Sequence, residues 1–157
     1  MPVIRLETVI AAPIERCFDL MRDVDVHTQS TAETRERAVG GVTTGLLNAG
    51  DEVTWEAVHL GVRQRLTVRV VRCEPPCLFE DAQVRGAFQA FTHLHEFQVV
   101  PGGTLMIDTF RYSSPLGPLG ALADRLFLKR YMRAFLARRA QFLKERAEAE
   151  ARQRAGH

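Results

Sequence analysis

No apolar run in this sequence approaches the roughly 20 residues a membrane-spanning helix needs, so none is expected. Cysteine is scarce: Cys17, Cys73 and Cys77 make an odd set that cannot pair completely. Cys73 and Cys77 bracket two prolines in "CEPPC", but no second pair completes a tetrahedral zinc site. Reduced thiols in a cytoplasmic protein are the expectation. Charge of one sign is also lacking, since the formal net charge is only +2, too little to argue for nucleic acid. Phosphate-loop, nucleophile-elbow and nucleic-acid-binding motifs are absent; "PGGT" lacks the lysine and following helix of a phosphate loop. The start, "MPVIRLETVIAAP", alternates and carries charge early, so it reads as a strand and not as a signal peptide.

What is present fits one domain of 157 residues, 46% hydrophobic and 25% charged, long enough to bury a substantial core. Charge is unevenly spread. Met1 to Gly117 holds 11 Lys+Arg against 15 Asp+Glu, and Pro118 to His157 holds 10 against 4. After the first strand, Val3 to Ile10, "AAPIERCFDLMRDV" opens a helix, with Pro13 suited to a first helical position and Ile14, Cys17, Phe18 and Met21 at helical spacing. Val24 to Thr34 is polar and broken, a short helix or loop, and a strand is expected over Thr34 to Val39.

"DEVTWEAVHLGVRQRLTVRVVR" is a hairpin turning at Leu60-Gly61, with His59 opposite Val62, Trp55 opposite Leu66 and Val53 opposite Val68. One face collects Val53, Trp55, Ala57, Leu66, Val68 and Val70; the other collects Glu52, Thr54, Glu56, Arg63, Arg65 and Arg69. Such a division marks an antiparallel sheet covered on one side. A short strand in "PPCLFEDAQV" then turns at Arg85-Gly86 into "FTHLHEFQVVPGGTLMIDTFRY".

That last stretch is two strands whose dry phases hold Phe91, His93, His95, Phe97 and Val99, and Met106, Asp108, Phe110 and Tyr112. Pairing Val99 with Thr104 sets Phe97 opposite Met106, His95 opposite Asp108, His93 opposite Phe110 and Phe91 opposite Tyr112. A slip by one residue would put Asp108 beside Glu96, a like-charge pair, and scatter the aromatics. Two imidazoles and a carboxylate therefore share a buried face.

After "SSPLGPLG" a helical segment is expected to about Ala151, with 151–157 fraying. Its apolar stripe shifts from Leu119, Leu122, Ala123 and Leu126 to Leu128, Met132, Phe135, Leu136 and Leu143, which predicts a bend near Phe127 to Lys129. The fold class is α+β: a curved antiparallel sheet of about six to seven strands gripping a long C-terminal helix, with short helices after the first strand.

The stretches "ETVIAAPIERCFDLMRD", "GDEVTWEAVHLG", "FTHLHEF" and "GGTLMIDTFRYSSPLGPLG", followed by the basic helix, resemble the START-like superfamily. This group also holds the birch-pollen-allergen fold and the polyketide cyclase/dehydrase and lipid-transport proteins; small bacterial cyclase/dehydrase-like members are the subgroup most similar. The resemblance spans nearly the whole chain and implies the helix-grip fold. It further implies a hydrophobic small-molecule partner in a cavity under the helix, and it carries over no catalytic set.

Face assignment nominates Trp55, Leu66, Phe91, His93, His95, Phe97, Met106, Asp108, Phe110 and Tyr112 as the cavity-facing, ligand-binding set. The alternative is a cyclase- or dehydratase-type enzyme with His93, His95 or Asp108 as acid/base, Asp108 fixing the tautomer of His95. His-x-His with a carboxylate on the next strand also has the spacing of a two-histidine, one-carboxylate metal set. Many strands carry such pairs without an ion, so no metal or cofactor is expected. A third class is an interaction module acting through its surface. Arg125, Lys129, Arg130, Arg133, Arg138, Arg139, Lys144 and Arg146 read first as the solvated side of the last helix and second as a peripheral contact with anionic membrane. The sequence carries no signal for oligomeric state.

Overall fold

The structure, a computed structural model, describes residues 2–114, 119, 122 and 127–156. Strand β1 (Val3–Ile10) leads into α1 (Ile14–Met21) and α2 (Val24–Ser30), then a 3-10 turn at Ala32–Thr34. Six strands follow: β2 (Arg37–Gly41), β3 (Glu52–His59), β4 (Val62–Glu74), β5 (Leu78–Arg85), β6 (Ala90–Val100) and β7 (Gly103–Ser113). The last helix, α3, spans Lys129–Ala155. The strands form one antiparallel sheet in the order β1-β7-β6-β5-β4-β3-β2.

Several local sequences explain their elements. Asp23 caps α2, its carboxylate accepting from the Asp25 and Val26 amides at 2.8 and 3.3 Å. Pro13 sits one position earlier than expected, at the N-cap of α1, in an extended conformation its ring permits. Leu60 and Gly61 both have positive φ, 54° and 78°, the backbone of a two-residue hairpin turn matched to strand twist. Gly103 is needed for a different reason: a Cβ there would lie 2.1 Å from the Ile10 carbonyl oxygen where β7 passes the end of β1. Register shifts between β4 and β5, at Thr67/Val68 and Val70/Arg72, are bulges of the kind that bend a sheet.

The β3–β4 and β6–β7 registers are those expected, including Trp55 with Leu66 and His95 with Asp108. Other expectations are corrected. Thr34 closes the 3-10 turn, and β2 begins only at Arg37. Helix α3 continues past Ala151 to Ala155. Glu56 points to the outer face yet is buried, because Arg37 and Arg65 clasp its carboxylate at 2.8 and 3.0 Å. A wide π-helical turn occupies Phe127 and Leu128 at the entry to α3; residues 115–118 and much of the earlier apolar stripe lie outside the described residues.

Helix α3 lies in the concave side with a stripe of Met132, Phe135, Leu136, Ala140, Leu143 and Ala147 buried at three- and four-residue spacing. Its C-terminal half is clamped by polar bonds. Lys144 donates to the Val9 carbonyl at 2.6 Å and to Glu148 at 2.7 Å, Glu148 accepts from the Ala11 amide at 2.9 Å, and Arg16 pairs with Glu150 at 3.0 Å. Below that half the core is solid, with Phe18 edge-on to Phe97 and Phe79. The N-terminal half spans open space.

Candidate functional site

That space is a cavity of about 240 Å³ between β3–β6 and the first turns of α3. Its walls are mostly apolar, with Trp55, Leu66, Phe88, Phe91 and Phe110 from the sheet side and Met132, Phe135 and Leu136 from the helix. Period-two alternation puts the first group on one face, and helical spacing puts the second on the facing stripe. The cavity reaches the surface at the β3–β4 turn, because Leu60 and Arg65 line it while largely exposed.

Polar groups enter at defined points. His27 lies between Arg139 and Glu36, with Arg139 Nη2 2.8 Å from Nδ1 and Glu36 Oε1 2.7 Å from Nε2. A guanidinium can only donate, so Nδ1 is the acceptor and Nε2–H donates to Glu36; His27 is the neutral tautomer of a three-member relay. Burial, then the Arg139 charge, lowers the His27 pKa. Burial alone would raise the Glu36 carboxyl, but His27 and Arg139 hold it below its ordinary value. On the opposite wall the Tyr131 hydroxyl lies 2.7 Å from His59 Nδ1. Asp81, on β5 opposite His93, also lines the cavity, and burial pushes its carboxyl up to about 6 against the opposing influence of His95 and Arg139.

The three polar residues singled out from sequence come together, though not all in the cavity. His93, His95 and Asp108 are each 5% exposed. Asp108 Oδ1 is in close contact with His95 Nδ1 and stands 3.6 Å from His93 Nε2, and the two imidazole rings are 4.0 Å apart. His93 borders the main cavity. His95, Asp108 and Met106 instead line a void of about 30 Å³ beneath Leu136, Ala140 and Leu143, which His93 also touches. Burial and then His95 push the His93 imidazole down to about 3, so it is neutral. For Asp108 burial acts upward, but His95 and the two imidazole contacts prevail and hold the carboxyl below its ordinary range. Among the described residues these three form a cluster of potential metal-ligating atoms, all within 4.8 Å of one another.

Of the remaining residues expected to face the cavity, Trp55, Leu66, Phe91 and Phe110 line it. Phe97 and Tyr112 line neither space: Phe97 packs on Phe18 at 5.6 Å, and Tyr112 is fully buried behind Phe88 and Phe110. Sequence reasoning missed His27, Glu36, His59, Asp81, Phe88 and Arg139. Asp81 shares the phase of Phe79, a legible signal; His27 and Glu36 lie where no periodicity exists, and Arg139 resembles its solvated neighbours.

The arrangement can hold an apolar body, orient it through a few hydrogen-bonding groups, and offer a neutral imidazole at its floor. No protein-family model and no curated protein matches the sequence. Solved structures do resemble it. TTHA0849 from Thermus thermophilus is similar over 95% of this chain and 99% of its own, at 22% identity and a TM-score of 0.78. One half of the di-domain aromatase/cyclase StfQ of the steffimycin biosynthetic pathway superposes with a TM-score of 0.77 and 14% identity, covering 95% of this chain and 51% of StfQ. Ara h 8.0201, of the birch-pollen-allergen type, gives 0.62 at 13% identity over 90% and 97%. At these identities the likeness shows the fold alone: a curved antiparallel sheet around a long C-terminal helix, the helix-grip architecture.

Proposed function

We propose, for a helix-grip protein hollow beneath its last helix, that the chain binds or carries a hydrophobic small molecule of lipid, polyketide or aromatic type. The supporting observation is the cavity itself, about 240 Å³ walled chiefly by aromatic and aliphatic side chains. A fully packed core would have filled it, as the same sheet is filled around Phe18 and Phe97. The volume is near the lower end of small-molecule sites, about 300–1,000 Å³, so it suits one or two fused rings or a single short chain rather than a two-chain phospholipid. Trp55, Leu66, Phe91 and Phe110 would contact the apolar body, with His93 and Asp81 beside it.

The likeness to a polyketide aromatase/cyclase supports the same ligand class and keeps a cyclase- or dehydratase-type reaction as the second reading. Of the three acid/base candidates His93 alone borders the cavity, so a proton transfer would run through His93, with Asp108 and His95 behind it. A membrane role for the basic helix has less support, since Arg138, Arg139, Lys144 and Arg146 are engaged with Glu33, His27, Glu148 and Gln29. Three unpaired cysteines suit a reducing, cytoplasmic setting.

Native mass spectrometry of protein purified without denaturation tests the reading, together with titration by the fluorescent probe 1-anilinonaphthalene-8-sulfonate. A retained organic adduct, or saturable probe binding that a bulky substitution in the cavity removes, supports it. Absence of both rejects it. Should His93→Gln preserve binding while turnover of a candidate polyketide ends, the catalytic reading replaces simple carriage.

A further inference from the structure

We propose that His93, His95 and Asp108 bind one divalent first-row transition-metal ion, of the class of zinc, iron(II) or cobalt(II), through two imidazole nitrogens and one carboxylate oxygen. This reverses the expectation drawn from spacing alone and is independent of the ligand reading.

The donor atoms converge because of where the strands hold them. His93 and His95 are two residues apart on β6, so both rings project to the concave side, and Asp108 is directly across from His95 on β7. An oxygen opposite His95 is met by the near ring nitrogen of that residue and by the far nitrogen of His93. The converging atoms are indeed Nδ1 of His95, Nε2 of His93 and Oδ1 of Asp108. Paired strands hold them, so little freedom is lost when an ion enters.

Their contacts with one another are close but poorly aligned. His93 Nε2, His95 Nδ1 and Asp108 Oδ1 are all buried without a hydrogen bond of acceptable geometry. An ordinary imidazole–carboxylate pair would align an N–H with an oxygen lone pair and satisfy both. Here three potential donor atoms lie within 4.8 Å of one another with no such alignment, and a cation held among them would satisfy all three.

One of the three separations already has the spacing of a bound ion. Ions of this class sit about 2.0–2.2 Å from nitrogen and oxygen ligands, which places ligand atoms about 3.4 Å apart around a tetrahedral centre. His93 Nε2 and Asp108 Oδ1, 3.6 Å apart, already have that spacing. His95 and Asp108 stand closer, and a side-chain movement of about 1 Å by Asp108 would open them to it. The adjoining void of about 30 Å³ is the volume of one water molecule, a fourth position. Two imidazoles and one carboxylate with an open position suit a catalytic-type zinc or non-haem iron centre. Arg139 borders the same void, but its charge is offset by Glu36 through His27.

The test uses the whole chain, stripped with EDTA and titrated anaerobically with Co²⁺. One equivalent per chain should bind, with visible d–d absorption that Zn²⁺ displaces. Asp108→Asn and His93→Gln should each weaken binding by about 100-fold, at least the upper end of what losing even outer-shell support costs. Cys77→Ser, at an exposed thiol that is not one of the donors, should leave it unchanged. Failure to bind an equivalent, or equal binding by the wild type and both cluster variants, overturns the proposal. Since replacing buried residues can unfold the chain, nitrogen-15 spectra of wild-type imidazoles provide a second measurement. Zn²⁺ should shift Nε2 of one histidine and Nδ1 of another; unchanged spectra, or shifts confined to His27, His59 and His157, overturn it equally.

Discussion

His27 lies face to face with Trp55, ring centroids 4.0 Å apart and planes inclined by 26°. The stack joins the relay of Arg139, His27 and Glu36 to the cavity wall, so the polar and apolar halves of the site share one contact. Trp55 is also the sole tryptophan of the chain.

Tryptophan emission, selectively excited, therefore reports on the cavity wall. Trp55 is 5% exposed, so its spectrum should be blue-shifted relative to free tryptophan. An apolar ligand should change its intensity, and Trp55 should transfer energy to a bound anilinonaphthalene probe. Probe binding without any change in Trp55 emission would place the ligand elsewhere.

Filling the space should separate binding from stability. Leu66→Trp adds volume where the wall faces open cavity, so ligand affinity should fall by about tenfold or more while the melting temperature holds or rises. A collapse of the melting temperature would mean that Leu66 is surrounded by packed atoms.

Two histidines act to lower stability as pH falls from about 7 towards 5, while Asp81, whose folded carboxyl is raised to about 6, opposes them over the same window. His27 and His59 are both lowered in the folded state, His27 by burial and Arg139, His59 by burial. Unfolded, they take up protons near their ordinary value of about 6.5. Below that pH these two residues bind more protons in the unfolded chain than in the native one, and linkage makes their contribution to stability decline. Glu36 acts in the same direction at lower pH: its folded pKa is depressed, so its contribution, present above the unfolded value, is lost as pH falls through the folded one. Urea midpoints at several pH values measure this, and His59→Gln should flatten the slope between pH 7 and 5. A slope that variant leaves untouched removes His59 from the account.

Gly103→Ala tests the close approach of β7 to β1. The new methyl must displace the Ile10 carbonyl, 2.1 Å away, so a loss of about 1–3 kcal/mol is expected from chemical denaturation. Gly102→Ala meets no atom within 4 Å and suffers only the strain of its positive φ, 85°, making it the comparison for steric cost.

The sheet was legible because its signals are periodic. A strict two-residue alternation, with a like-charge penalty on the slipped register, places His95 opposite Asp108 from the residues alone. The cavity boundary was less so. Face assignment tells which way Phe97 and Phe110 point, not that α1 would cover one and leave the other facing open space. His27 escaped notice because one of its partners lies far along the chain: Arg139 is 112 residues away. Polar bonds between distant segments leave no local period.

The fastening of α3 at one end sets how this protein could tell guests apart. With Lys144, Glu148 and Glu150 tied to the first strand and helix, the half over the cavity is held by buried Met132, Phe135 and Leu136 and by the contacts of Tyr131 and Arg139 with His59 and His27. Discrimination among guests small enough for the chamber then falls to hydrogen-bonding pattern, that is, to where each molecule carries its oxygen atoms.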